Sequence, residues 1–385
     1  MNISSGCSAV RRLVLAFFWV ALASGTAGTD SNAAELQLTV NGIYLLAPPT
    51  DYKVFEERVI VYRKAGADTL IIRPVTDRGG VNRQLLAKAV FFAHHAGMRL
   101  FVVLPTRSMS ALIEQHPDWE DMYYDPRSGT VEPSGTLDLF NPYVTVYLSD
   151  LFRDIAGYSV DGIILDEDFS YSDTEGMSDL ALDRYRKKYG SSLSVRSAFG
   201  KLPGIRDQKT HSLELYGEGF WNLAEMKKNA LLVLLRNIMQ ASRAVNKQVT
   251  FGIALHVPGL FLKDRELLAW YGHDLETLKK MDINYYWLAI PHREDRTQQD
   301  STDKMAIETA SRTVISWLAL VNEPGRIIIA IQTFSSSGKI LPLSEIEEVA
   351  MQVKKTGNPG LAFMVEQETE LPPELTRKIF RYHPE

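Results

Sequence analysis

Three consecutive carboxylates follow an apolar run in Asp161-Gly162-Ile163-Ile164-Leu165-Asp166-Glu167-Asp168. Like charges this close raise the pKa of at least one member. A raised carboxyl pKa is what a general acid for glycoside cleavage needs. In an extended chain Asp166 and Asp168 share one face and Glu167 points to the other. Two carboxylates on one face can divide the work, one donating a proton and the other orienting it or stabilising developing positive charge. The same spacing also suits a solvated acidic turn or a calcium-binding turn.

Other polar and aromatic residues sit where apolar runs end. They are Arg73 and Asp77, Arg107, His256, Trp287 and His292, Gln332, and Glu366 with Glu368. Tyr44 lies within the first such run, and His116-Pro117-Asp118-Trp119 with Tyr123-Tyr124-Asp125 fills a later loop. Carboxylates transfer protons, aromatic faces stack on pyranose rings, and amides bind hydroxyls, so this set resembles a sugar-processing cleft. Tyr44, Arg73, Trp119, His256, Trp287, His292, Gln332 and Glu366 are the candidate substrate-binding residues. His256 could equally fill a barrel mouth with a satisfied hydrogen bond, and Trp287 could be core. His94-His95 falls within a helical pattern and is not read as a site. No His/Asp/Glu set has catalytic metal spacing, so no cofactor or metal is expected.

The elements that must position these residues alternate. Apolar runs at 42–47, 69–74, 99–105, 162–165, 249–255, 283–289, 326–331 and 361–365 read as strands. Helical patterns separate them at 53–65, 82–96, 143–157, 264–280, 301–322 and 343–355, with a polar and helical insertion over 170–247. The strands are continuous apolar runs, which suit a parallel sheet covered on both faces. The pattern predicts an α/β fold, a (β/α)8 TIM barrel with a helical insertion after strand 4. An open doubly wound sheet is the alternative, but no Gly-rich phosphate loop follows the first strand. In a barrel of this kind, active sites gather at the C-terminal strand ends, which is where the candidate residues lie.

The chain has 385 residues, 45% hydrophobic and 23% charged, an ordinary globular balance. Its 42 basic and 47 acidic residues give a net charge of −5, which argues against a nucleic-acid surface. The single cysteine, Cys7, rules out an intrachain disulfide and cysteine-ligated clusters. Arg11-Arg12, an apolar run from Leu13 to Ala23 and then small residues have the layout of a secretory signal peptide over 1–27. Its cleavage leaves 40 basic residues against 47 acidic, a net charge of −7. A periplasmic or secreted barrel over 38–380, with no membrane span, is the expectation.

The order of motifs resembles the glycoside-hydrolase-like barrel of the PgaB family, periplasmic deacetylase/hydrolases of poly-β-1,6-N-acetylglucosamine (PNAG). That family's fourth strand carries Asp-Gly-Ile-Leu-Phe-His-Asp-Asp. Here the segment is Asp161 to Asp168, with Asp166 at the histidine and Glu167 and Asp168 at the two aspartates. The family's Met-Ala-Met-Pro is similar to Leu288-Ala289-Ile290-Pro291, and its Leu-Gln to Ile331-Gln332. Met364-Val365-Glu366-Gln367-Glu368 departs from the family pattern. The segment before the first strand has no room for the family's deacetylase half, so only the hydrolase-like half is expected. The fourth-strand segment is also similar, more distantly, to the Asp-Gly-Ile-Asp-Ile-Asp-Trp-Glu of family 18 chitinases. There the catalytic glutamate falls on Asp168 and the assisting aspartate on Asp166.

Together these resemblances imply an exported glycoside hydrolase cleaving an amino-sugar exopolysaccharide, partly deacetylated PNAG. Asp168 is the expected general acid, with Asp166 or Glu167 as its partner. The alternative is a non-catalytic polysaccharide-binding barrel within a periplasmic exopolysaccharide export apparatus.

Overall fold

The computed structural model describes residues 39–75, 80–199, 213–256, 264–290, 315, 323–335, 338–366 and 371–382. Eight of its strands are the apolar runs: β1 (Asn41–Leu45), β2 (Thr69–Ile72), β3 (Arg99–Leu104), β6 (Gly162–Leu165), β7 (Thr250–Ala254), β8 (Tyr285–Ile290), β9 (Ile327–Gln332) and β10 (Gly360–Val365). They pair in parallel and close into a barrel in the order β1, β2, β3, β6, β7, β8, β9, β10. Between β3 and β6 lie two further strands, β4 (Glu120–Asp125) and β5 (Thr130–Leu137), which form a separate antiparallel hairpin. The expected (β/α)8 barrel is the observed architecture.

The pleat explains why the strands read as unbroken apolar runs. Alternate residues point to opposite faces, and here both faces are buried. Inward positions Tyr44, Ile71, Phe101, Val103, Ile164, Ala254, Tyr285, Trp287, Ile328, Ala330 and Ala362 form one cluster inside the barrel. The outward set, among them Ile43, Leu70, Val102, Ile163, Phe251 and Ile329, packs against the surrounding helices. Each fully buried aliphatic side chain of this kind contributes roughly 1.5–3 kcal/mol. The interior is filled by pairing large against small. A Cβ at Gly162 would lie 2.6 Å from the ring of Phe101. That ring in turn meets Tyr285 at 5.4 Å between centroids.

Helices α1 (Tyr52–Lys64), α2 (Arg83–His95) and α4 (Pro142–Ala156) sit within a residue or so of their sequence patterns. Their starts are set by Asp51, Asn82 and Asn141, whose side chains accept hydrogen bonds from the first-turn amides. Next come α3 (Ser110–Gln115), α5 (Asp179–Tyr189), α6 (Val195–Phe199) and α7 (Glu218–Val245). The helix α7 is 28 residues long and packs along α4. The helical insertion after the fourth barrel strand is therefore α5, α6 and the loops around them, with α7 returning to the barrel wall.

Two expectations need correction. The segment after β3 is not a plain loop, since it holds α3 and the β4–β5 hairpin. Pro133 and Gly135 lie within β5, and a two-stranded ribbon has free edges that tolerate both. The helix expected over 264–280 is two helices, α8 (Asp264–Tyr271) and α9 (Leu275–Lys279). Gly272 breaks it, in the left-handed region at φ +67. The break frees the Tyr271 carbonyl to accept from the Tyr171 amide at 3.0 Å. Helix α10 (Leu343–Lys355) has the expected bounds, and α11 (Pro373–Phe380) follows β10. The helix expected over 301–322 and the signal peptide lie outside the described residues, Ile315 excepted.

Candidate active site

The inward parity of the strands continues past their C-terminal ends. It carries Arg73 beyond β2, Asp166 beyond β6, His256 beyond β7, Gln332 at the end of β9 and Glu366 beyond β10 to the barrel mouth. Beneath them Tyr44 and Trp287 meet edge to face, with ring centroids 5.6 Å apart. Trp287 is only 3% exposed, so it forms the floor of the mouth rather than an open stacking platform. Tyr44 lies with it. Burial, then the neighbouring Asp166, raises its phenol well above the usual range.

The three consecutive acids separate. Asp166 directly follows β6 with its amide on the Leu104 carbonyl, and its carboxylate lies 3.4 Å from Arg73 Nη1. Burial first, and then the neighbouring Asp168, pushes its pKa up despite Arg73. Glu167 is more open than Asp166, with side-chain exposures of 42% and 26%. Its carboxylate lies 3.8 Å from His256 Nδ1.

Asp168 does something else. It accepts from the backbone amides of Thr106, Arg107 and Ser108 at 3.0, 2.8 and 2.6 Å, and from the Thr106 hydroxyl at 3.0 Å. Four donors on one carboxylate make it the clamp that ties the β3 end to the segment after β6. Both oxygens of Asp168, the residue expected as the proton donor, are engaged in holding the loop.

His256 is fixed from two sides. Its Nε2 lies 2.9 Å from the Glu167 carbonyl and 3.3 Å from the Ser170 hydroxyl. Its ring stacks on Tyr271 at 4.6 Å and 20°. Burial lowers its pKa, so the neutral ring prevails at neutral pH. A carbonyl can only accept, so Nε2 carries the hydrogen and Nδ1 is left as the acceptor.

In the segments that follow β3 and β6 lies a second, buried polar cluster that the sequence did not announce. Arg107 was expected on the rim but is turned inward and is 1% exposed. Its guanidinium contacts Asp121 at 2.9 Å and Glu175 at 3.1 Å. It donates to the Leu137 carbonyl at 3.1 Å, the Thr136 hydroxyl at 2.8 Å and the Ser170 carbonyl. It also lies 3.9 Å over the Tyr171 ring. Lys227 on α7 is fully buried and donates to the carbonyls of Ser172, Asp173 and Glu175 at 2.9, 2.9 and 3.1 Å. Burial pulls its pKa down to about 8. His273, in the α8–α9 turn, lies 2.6 Å from the Phe169 carbonyl, and burial takes its pKa down to about 4.

The structure thus gathers Tyr44, Arg73, Asp166, Glu167, Asp168, His256 and Trp287, with Gln332 and Glu366 on the same rim. It does not bring Trp119 to them. That ring stacks on His116 at 4.4 Å and meets Tyr147 of α4 at 5.9 Å, on the outer layer. Asp161, the first residue of the acidic motif, is at the opposite end of its strand. It accepts from the Leu100 amide at 2.7 Å and contacts His94 at 2.9 Å. Asp77, His292 and Glu368 lie outside the described residues. Missed from sequence were Tyr271, His273, Asp121, Glu175 and Lys227. Only Lys227 left a signal, a charge on the same helical stripe as Leu223 and Leu231. Among the described residues no three His, Cys, Asp or Glu side chains gather as a metal site, and no helix is long and apolar enough to cross a membrane.

No family model matches the sequence, and no curated protein matches it. Solved structures do. The PgaB (BpsB) glycoside hydrolase domain from Bordetella bronchiseptica superposes with a TM-score of 0.66 at 14% identity, over 88% of this chain and 95% of that one. The catalytic domain of a β-amylase from Paenibacillus polymyxa gives 0.53 at 14% identity, over 85% and 93%. A β-galactosidase from Halorubrum lacusprofundi gives 0.62 at 10% identity, over 88% of this chain but 57% of that one. The chain carries a (β/α)8 barrel whose fold is similar to that of the PgaB glycoside hydrolase domain and of other glycoside hydrolases.

Proposed function

We propose that this protein is an exported glycoside hydrolase acting on an amino-sugar exopolysaccharide, with partly deacetylated PNAG as substrate. The observation that carries the reading is the pair Asp166 and Glu167. These adjacent carboxylates sit at one strand end in unlike surroundings, one half-buried beside Arg73 and the other open beside His256. Unlike surroundings divide two carboxyl groups into different roles. Glu167, the longer and more open side chain, is the general acid that protonates the leaving glycosidic oxygen. Asp166 stabilises the oxocarbenium character that develops as the bond breaks, or orients the substrate's own N-acetyl group to do so. Asp168 holds both in place.

The substrate class is supported by charge and by the resemblance of the fourth-strand segment to the PgaB barrel. A polymer with free amines is cationic, and the chain is net acidic and carries Asp166, Glu167, Asp168 and Glu366 at its mouth. Cleavage of the signal peptide would deliver the barrel to the periplasm or beyond it.

One observation favours a second reading. The acid that both family resemblances point to, Asp168, is occupied as a clamp. That suits a non-catalytic barrel that binds polymer and hands it along an export apparatus. Mass spectrometry of partly deacetylated PNAG incubated with the mature protein separates the two, with chitin and α-glucan oligomers in parallel. Shortened PNAG products that fall about 10²–10⁴-fold in Glu167→Gln establish the hydrolase and its acid. Unchanged polymer with retained binding refutes the hydrolase and leaves the binding barrel.

A further inference from the structure

We propose that the groove between α4, α5 and α7, on the outer wall of the barrel, is a docking surface for an acidic amphipathic segment of a partner protein. The inference goes beyond the proposed chemistry and does not depend on it.

The groove is a cleft of about 420 Å³. Its floor is apolar, built from Phe140 ahead of α4, Val146 of α4, and Met226, Ala230 and Val233 of α7. Val146 and Val233 are 60% and 48% exposed, and Tyr143, one turn before Val146, is 69% exposed. Helices that pack on a barrel ordinarily turn polar residues outward. Exposed apolar side chains gathered beside a concavity therefore mark an interaction site. Asn229, Val233 and Asn237 recur every fourth residue along α7, so the groove runs about 12 Å along the helix, room for roughly two helical turns.

Charge selects the occupant. None of the side chains that line the groove is a carboxylate. Arg184 and Lys188 stand one turn apart on its α5 wall. Among the described residues neither pairs with a carboxylate. The Arg184 guanidinium is instead held over the Phe140 ring at 5.5 Å, and its Nη2 donates to the Phe140 carbonyl at 3.3 Å. Lys188 lies over the Tyr189 ring at 5.1 Å. The neighbouring cations of α5 are engaged differently, since Arg186 and Lys187 both pair with Asp183. On the opposite wall, α7 carries no acid from Met226 to Val245.

A cationic groove thus stands on a chain of net charge −5, and its sign is opposite to that of Asp166, Glu167 and Asp168 at the mouth. A cationic polymer drawn to the mouth is repelled here, so the groove does not extend the substrate path. It fits a segment whose apolar side chains seat between Val146 and Val233 and whose carboxylates, one turn apart, meet Arg184 and Lys188. That is recognition of an amphipathic helix in a groove. A concave floor between helices suits inserted side chains better than a planar anionic membrane.

The test is fluorescence anisotropy of a labelled amphipathic peptide, with Leu on one face and Glu beside it, titrated with the mature protein. The same peptide with Lys in place of Glu is the control. The acidic peptide is expected to bind and the basic one not. The double variant Arg184→Glu/Lys188→Glu should weaken binding about tenfold, and Val233→Glu by a similar factor. All three side chains are exposed, so the fold should persist, with an unchanged melting curve by circular dichroism. Arg236→Glu, in the cleft on the α9 side of α7, should leave binding unchanged.

No binding by either peptide, or equal binding by both, overturns the proposal. So does an equal loss in Arg236→Glu and the double variant, which would reduce the effect to general attraction. Phosphatidylglycerol vesicles that retain the wild-type protein but not the double variant, with no peptide binding, would overturn it in favour of a membrane surface. A dimer in sedimentation velocity that Val233→Glu dissociates, again with no peptide binding, would overturn it in favour of a second copy of this chain. None of these residues lies at the mouth, so turnover should be unchanged in every variant, and failure here is distinct from failure of the proposed chemistry.

Discussion

The barrel mouth and the buried cluster around Arg107 are built from the same residue types and are used in opposite ways. At the mouth, Arg73, Asp166, Glu167 and His256 are partly exposed, and Arg73 and Asp166 lie 3.4 Å apart in a single contact. In the buried cluster, Arg107 has contacts from all three of its guanidinium nitrogens, and Asp121 and Lys227 are fully buried. Asp168 is the hinge between the two, next to Glu167 in sequence but bonded to residues 106–108. Asp168 is saturated with donors, whereas Asp166 and Glu167 keep solvent access and unlike neighbours, which is the condition the proposed chemistry requires.

That comparison can be broken most directly at Arg107. Arg107→Met should cost about 3–5 kcal/mol of stability in denaturant unfolding, because it leaves Asp121 and Glu175 buried without their cation. Glu167→Gln in the same assay should change stability by less than about 0.5 kcal/mol. Equal effects from the two variants would erase the distinction between the regions.

The next test uses pH. His273 is buried with its pKa lowered to about 4, against roughly 6.5 in an unfolded chain. A depressed folded pKa means that the unfolded state takes up the proton first. The associated stability is therefore complete above about pH 6.5 and is lost as pH falls towards 4, by about 3 kcal/mol at most. His273→Gln should keep a donor to the Phe169 carbonyl and flatten that slope, measured as melting temperature across pH 4 to 7. A slope unaltered by the substitution would place the acid sensitivity elsewhere.

The smallest effect sharpens the boundary itself. Asp168→Asn should destabilise by about 1–3 kcal/mol, since an amide replaces one accepting oxygen by a donor facing backbone amides. Turnover should fall with it, through displacement of Asp166 and Glu167 rather than loss of a proton donor. The pH profile should then keep its shape while its height drops. A profile that lost its basic limb would return Asp168 to the role of acid.

Much of the fold was legible because its signals are local. Ile163-Ile164-Leu165 and its counterparts are apolar on both faces, and that pattern belongs to parallel strands covered on both sides. Asp51, Asn82 and Asn141 mark helix starts within a few residues of the amides they bind. Parity alone also carried Asp166, His256 and Gln332 to one end of the barrel. The hairpin was not legible, since Pro133 and Gly135 weaken the strand pattern and its partner strand lies across a turn. Nor was the interior position of Arg107, which looks in sequence like any polar residue at a strand end.

The sequence by itself therefore determined the barrel, the end at which its polar residues gather and the acidic cluster that follows the fourth barrel strand. Only the tertiary structure decided which acid holds and which stays open. The donors that occupy Asp168 come from Thr106, Arg107 and Ser108, about 60 residues away along the chain. The groups that neutralise Arg107 come from the hairpin and from the loop before α5. Alternation along a strand sets the direction of a side chain, but what a carboxylate does depends on the hydrogens that reach it, and in this protein those arrive from distant parts of the chain.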